Sequence, residues 1–195
     1  MQKNTLSELI VTKFCHDIAG ATGALMNGAE LLADSFDDKE FLHQATNTLI
    51  DSSRFLTYRL RFFRAAFGVP KQSYTPTTAI QFATDYISTF NNIILDWENE
   101  GEEDSALTRI KLIACFVCIS ALTRGGKITV RQSSVSASGQ NAILPEHLEL
   151  TLNGDDTQEE NSETAAGLFL YNYAQEKDYK ISVNKEINNI ILNIE

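Results

Sequence analysis

No stretch of this sequence approaches the roughly 18 to 20 apolar residues of a membrane span, so a membrane-crossing helix is not expected. A secretory signal is not expected either, because Lys3 is the only early cation and Glu8 interrupts the first apolar stretch. The three cysteines, an odd number, give no disulfide framework and favour a reducing cytoplasm. Positive charge is in short supply too: 16 basic residues face 26 acidic ones, for a formal net charge of −10. Binding nucleic acid relies on neutralising phosphates with a basic patch, so nucleic acid is not an expected partner, and neither is an acidic membrane surface.

What is present suits an ordinary globular protein. The chain has 195 residues, 43% hydrophobic and 22% charged, enough to bury a core in one domain or in a helical hairpin plus a small second domain. The charge is uneven. Arg54, Arg59, Arg61, Arg64 and Lys71 follow one another without an acid, whereas Glu98–Asp104 and Asp155–Glu163 are strongly acidic and read as solvated loops.

Two long helices open the chain. Thr5 or Ser7 can cap the first, with Glu8 three residues after Thr5 as in a capping box. Its apolar stripe runs Ile10, Phe14, Ile18, Ala21, Leu25, Ala29 and Leu32 at spacings of three and four, and it should end near Ser35. Asp37 and Asp38 place negative charge at the start of the second helix, where the macrodipole favours it. That helix carries Leu42, Thr46, Leu49, Ser53, Leu56, Leu60, Phe63 and Phe67, close to a heptad seam, and stops at Gly68 with Pro70 beyond. At about 28 residues each, the helices predict an antiparallel hairpin roughly 40 Å long. Phe55, Phe62, Phe63 and Phe67 lie on more than one side of helix two. Pairing two hairpins into a dimeric four-helix bundle would bury that excess.

The sequence therefore divides into a hairpin at 1–68, a linker at 69–76 and a mixed part at 77–195. In the last, helices are expected at about Thr77–Phe90, Ser105–Leu122 and Glu163–Lys177. Strands are expected at Asn92–Trp97, Lys127–Ser133 and Leu148–Leu152, with a final hairpin Lys180–Asn184 and Asn189–Ile194. The class is α+β: a helical hairpin followed by a two-layer α/β sandwich.

His16 is the candidate for chemistry. It points away from the apolar stripe, on a face shared with Lys13, Gly20, Gly23 and Asn27. Two glycines inside a helix cost roughly 1 kcal/mol each against alanine, and beside an exposed imidazole they leave room for another protein's backbone. Neutral imidazole is nucleophilic, and Asp17 could accept a hydrogen bond from the other ring nitrogen and offset the cation formed on attack. A lone surface histidine is ordinary, so the flanking sequence decides. Cys115 and Cys118 have CxxC spacing but lie in an apolar helix with no second ligand pair, and read as core rather than metal ligands. His43 and Glu30 read as surface residues, and His147, after Pro145, as a loop residue.

The segment FCHDIAGATGALMNGAELL, Phe14 to Leu32, resembles the phosphoacceptor helix of the ChpT-type bacterial histidine phosphotransferases, with Cys15-His16-Asp17 near its start and Asn27-Gly28-Ala29-Glu30-Leu31-Leu32 near its end. Arg59 to Gly68 (RLRFFRAAFG) is similar to the family's closing segment of helix two. Ala121-Leu122-Thr123-Arg124-Gly125-Gly126 is similar to a third motif, which usually has proline before Arg-Gly-Gly. The resemblance implies a cytoplasmic homodimer in which His16 shuttles a phosphoryl group between the receiver domains of a hybrid histidine kinase and of a response regulator. Asp17 would assist at the catalytic position, and Lys13, Gly20, Gly23 and Asn27 would meet the partner. The arginine-rich run is either a solvated face or a dock for an acidic receiver.

The resemblance also implies a C-terminal part like a degenerate histidine-kinase ATPase domain, without ATP and with no cofactor of its own, the receiver supplying Mg2+. The sequence agrees: RIKLIACFVCISAL lacks the asparagine that holds magnesium in kinases, and Asn153-Gly154-Asp155-Asp156 lacks the second glycine of the adenine loop. Gly20 stands where many kinases carry Thr or Asn, so phosphatase activity is not expected. The alternatives are a non-catalytic dimeric receiver-binding adaptor and a residual histidine kinase.

Overall fold

The computed structural model describes residues 3–34, 39–69, 74–98, 104–155 and 161–195. Ser35, Asp37, Asp38, Lys71 and most of both acidic runs lie outside them. Two long helices, α1 (Lys3–Asp34) and α2 (Lys39–Ala66), lie side by side as the expected hairpin. α1 already begins at Lys3, so Thr5 and Ser7 lie within it and are not its cap. The helices come close at Gly28, where an added Cβ would sit 3.0 Å from Leu49 Cγ, beside the buried Ala45.

After the hairpin come α3 (Pro76–Ile87), β1 (Ile93–Trp97), α4 (Ser105–Ser120), β2 (Gly126–Arg131), β3 (Ser134–Ser138), α5 (Glu146–Leu152), α6 (Ser162–Glu176), β4 (Ile181–Glu186) and β5 (Asn189–Ile194). The sheet has order β1-β2-β3-β5-β4, with β1 and β2 parallel and the other neighbours antiparallel. Val135, Ala137, Ile190, Leu192 and Ile194 alternate with less buried residues along β3 and β5, the signature of a sheet covered on one face. α3, α4 and α5 supply that cover, and α6 packs against α4 and α5. The α+β class and the two-layer arrangement are as expected.

Two elements differ from expectation. Leu148–Leu152 is not a strand but part of α5: Leu148, Thr151 and Leu152 are buried at helical spacing, three and four apart. A five-residue stretch this short satisfies either period. β3 was not anticipated, because its alternation of Ser134, Ser136 and Ser138 with Val135 and Ala137 carries little apolar signal.

The aromatic residues of α2, and Phe67 just after it, are also used differently. Phe62 is fully buried and stacks on Tyr86 of α3 at 4.0 Å, Phe63 meets Phe14 at 5.1 Å, and Phe67 meets Phe116 and Phe169, each at 5.3 Å. The sandwich of the same chain therefore covers Phe62, Phe63 and Phe67, three of the four rings that suggest a second hairpin, while Phe55 stays half-buried. Arg109 of α4 completes the joint. Its Nε and Nη2 donate to the carbonyls of Ala66 and Gly68, each at 2.9 Å, which satisfies the open end of α2, and its guanidinium stacks 4.4 Å from the Tyr173 ring of α6.

Asp104 caps α4. It accepts from the Leu107 backbone N–H at 2.7 Å, and its other oxygen accepts from the Tyr179 hydroxyl at 2.7 Å. The Leu107 hydrogen bond first, then that from Tyr179, holds this carboxyl below its ordinary value. A depressed acid contributes stability above its unfolded pKa and loses it as pH falls through the folded one. Asp104→Ala is expected to cost about 1 kcal/mol at neutral pH in urea unfolding. The gap to wild type should close below about pH 4; a gap that stays constant on acidification would contradict this.

Candidate functional site

His16 stands on the outer face of α1 with 85% of its side chain exposed. Gly20, Gly23 and Asn27 follow at helical spacing and are exposed as well, and a Cβ built at Gly20 or Gly23 would meet nothing within 4 Å. The structure thus leaves an open strip along the helix beside the imidazole.

Asp17, one residue further and about 100° around the helix, turns inward: its side chain is only 8% exposed. Its Oδ1 lies 2.8 Å from Lys13 Nζ and 3.6 Å from His16 Nδ1, and its Oδ2 lies 3.4 Å from Arg59 Nη1 on α2. The expected hydrogen bond from the ring is not made at 3.6 Å; the ring and the carboxylate are adjacent, and Lys13 holds the shared oxygen. Lys13 is correspondingly tied to Asp17.

Arg59 departs from the reading of the arginine run as one face, whether solvated or docking. It is 9% exposed overall, with its guanidinium carbon 4.3 Å from the Phe55 ring centroid, 5.6 Å from that of Phe90 and 5.8 Å from that of Tyr86. Burial, and then the charge of Asp17, push the Tyr86 phenol far above its ordinary value, against the pull of Arg59. A signal for Arg59 was available: Phe55 and Phe62, at four before and three after, put it on an aromatic face of the helix. Arg61 and Arg64 remain exposed, and Arg64 Nε donates to the Tyr74 hydroxyl at 3.1 Å.

The remaining candidates fall into ordinary places. Cys115 and Cys118 are buried in α4, and burial pushes the Cys118 thiol up to about 12 and the Cys115 thiol well above its usual range. Among the described residues no group of three or more His, Cys, Asp and Glu could hold a metal ion. His43 is exposed on α2 and Glu30 on α1. His147 is in the first turn of α5 rather than in a loop, and its Nε2 lies 3.0 Å from Glu163 of α6. Gly154, at φ +85°, closes α5: its N–H donates to Thr151 and that of Asp155 to Leu150, both at 3.0 Å. That is a helix C-cap of the left-handed kind, with Tyr171 against the glycine.

Comparisons with known proteins agree with this fold. Over 205 residues the chain is 26% identical to the protein phosphotransferase ChpT of Brucella abortus (strain 2308), covering 97% of this chain and 95% of that one. The solved structure of a bacterial phosphotransferase has the same fold: TM-score 0.81 over 100% of this chain and 98% of that one, at 22% identity. Residues 76–189 match the family described as the histidine phosphotransferase C-terminal domain. With a family match over more than half its length, and with the ChpT-type segments Phe14–Leu32 and Arg59–Gly68 placed together in its hairpin, the chain belongs to the histidine phosphotransferases.

Proposed function

We propose that His16 is the residue that carries the phosphoryl group in a phosphorelay. The observation that supports this is its placement: an imidazole 85% exposed, beside two helix glycines with open space above them, and backed by an inward-turned carboxylate. The ring attacks the aspartyl phosphate of a donor receiver domain and later yields the phosphoryl group to an aspartate of a second receiver. By similarity to the family, the donor is the receiver of a hybrid histidine kinase and the acceptor a response regulator, both in the cytoplasm. Lys13, Gly20, Gly23 and Asn27 form the contact strip, with Asp17 next to the reacting ring. The receiver supplies Mg2+ to offset charge on the transferring group, and ATP takes no part on this chain.

The working unit in this proposal is a homodimer, with residues 1–68 as the phosphoacceptor and pairing part and 77–195 as the kinase-derived part beyond the 69–76 linker. Val11, Leu31, Phe41, Ile50 and Leu60 remain exposed along the hairpin. A groove of about 660 Å³ lined by Ile10, Val11, Phe14, Leu60 and Phe67 lies at one end of it. Exposed apolar surface of this extent is what a four-helix bundle covers. No helix of the described residues is long and apolar enough to cross a membrane.

The test is incubation with a phosphorylated receiver domain, followed by a search for acid-labile label on this chain. Wild type is expected to take up label and His16→Ala none. An unlabelled wild type, or label undiminished in His16→Ala, would remove the assignment. Sedimentation equilibrium on the same sample reads the pairing, and a monomer would refute it.

A further inference from the structure

The carboxylate behind His16 is held from the second helix. Its two oxygens are divided: Oδ2 faces Arg59 Nη1 at 3.4 Å, while Oδ1 faces Lys13 Nζ at 2.8 Å and His16 Nδ1 at 3.6 Å. Both partners of the Asp17–Arg59 pair are removed from solvent, their side chains 8% and 11% exposed. The buried Nε of Arg59 has no hydrogen-bond partner among the described residues. A guanidinium in this slot carries the cost of desolvation and of a stranded N–H. Filling space among Phe55, Tyr86 and Phe90 needs no charge, since a methionine of similar length would do it without that cost. What the charge adds is a grip on Asp17.

We propose that Arg59 is a positioning residue for phosphoryl transfer, anchoring Asp17 Oδ2 so that Oδ1 stays beside His16 Nδ1. The inference rests on the reading of His16 given above. The negative charge of a carboxylate 3.6 Å from Nδ1, without a hydrogen bond to it, favours the tautomer with its proton there, which leaves the Nε2 lone pair free on the outer side. Nε2 attacks the phosphorus of the receiver's aspartyl phosphate: the N–P bond forms, the O–P bond breaks, and the electron pair leaves with the receiver carboxylate. The proton stays on Nδ1, and the positive charge gained by the ring lies next to Asp17 Oδ1. Transfer to the second receiver runs the same bonds in reverse. Among the described residues, the charged and titratable groups beside the ring and its carboxylate include Lys13, Cys15 and Asp17 from α1, Arg59 from α2 and Tyr86 from α3. Tyr86 and Phe90, which flank the guanidinium, belong to α3 and the turn after it, so the α/β part of the chain bears on the reacting ring through Arg59.

The experiment is a double-mutant cycle on the full-length chain, with transfer from a phosphorylated receiver domain timed by rapid quench. Arg59→Met is expected to slow transfer at saturating receiver about tenfold, the low end of the loss seen when the group that orients a metal-binding histidine is removed. The receiver concentration for half-maximal rate should not move, and Arg59→Lys should retain most of the rate. In the Asp17→Asn background Arg59→Met should cause no further loss, because its action passes through Asp17. Nitrogen-15 spectra of His16 should show a larger share of the Nδ1–H tautomer in wild type than in Arg59→Met. An equal loss in both backgrounds, or a wild-type rate in Arg59→Met, would overturn the proposal. Should thermal melting find Arg59→Met unfolded, Arg59→Gln takes its place in the cycle under the same criteria. Label on His16→Ala would instead sink the phosphoacceptor reading, whereas clean labelling of wild type at His16 with additive rates sinks Arg59 alone.

Discussion

Phe62→Ala is expected to lower the free energy of unfolding by about 3 to 5 kcal/mol, the range for removing a buried ring without collapse of the space it filled. Phe62 is 0% exposed, and its partners come from three elements. Tyr86 of α3 stacks on it at 4.0 Å with planes 10° apart, Phe116 of α4 lies 6.5 Å away, and Phe63 of its own helix meets it edge-on at 6.3 Å. These neighbours are held by their own packing, Phe116 against Phe63 and Phe67 and Tyr86 against Phe90, so they cannot close in on the gap. Urea unfolding at a fixed protein concentration should show a lower midpoint with an unchanged slope. A loss below about 1 kcal/mol would mean that the hairpin and the sandwich are not joined through this ring.

The same joint explains what was legible in the sequence and what was not. The hairpin follows from periodicity, since stripes of three and four over about 28 residues leave few other solutions. His16 and the glycine strip were legible because outward residues of a helix can be placed by counting alone. The final β-hairpin, with Asn188 at φ 60° in its turn, was legible from the alternation of Ile190, Leu192 and Ile194. Tertiary decisions were not legible. Counting puts Phe55 and Phe62 on a side of α2 away from its seam, but it cannot say whether another hairpin or the same chain's sandwich covers them. Arg59 is the sharpest case: five cations without an acid look like one face, yet the Phe55–Arg59–Phe62 side of the helix turns into the core and meets Asp17 from α1. Pairing across 42 positions is set by how the helices lie together, which periodicity does not encode. α5 was misread because Leu148–Leu152 is too short to distinguish a period of two from one of 3.6.

The glycine strip leads to the second large effect, in which stability and activity move in opposite directions. Gly20→Leu and Gly23→Leu are each expected to cut phosphoryl transfer from a receiver by about a hundredfold, the scale at which small misplacement of reacting groups is felt. Each should at the same time stabilise the hairpin by about 0.5 to 1 kcal/mol, because leucine is a far better helix former than glycine. Both arms rest on one observation: a Cβ at either position meets nothing within 4 Å among the described residues, so a side chain there leads outward and obstructs what approaches from outside. Gly28 on the same helix supplies the contrast. There a Cβ would already press on Leu49 at 3.0 Å, so Gly28→Leu should destabilise the hairpin. If Gly20→Leu and Gly23→Leu transferred at the wild-type rate, the partner would not approach over this strip. If they lost stability as Gly28→Leu does, the strip would be buried in the assembled protein. Glycines that lower helix stability at an open surface, beside an exposed imidazole, have a reason to be there only if another backbone has to come close.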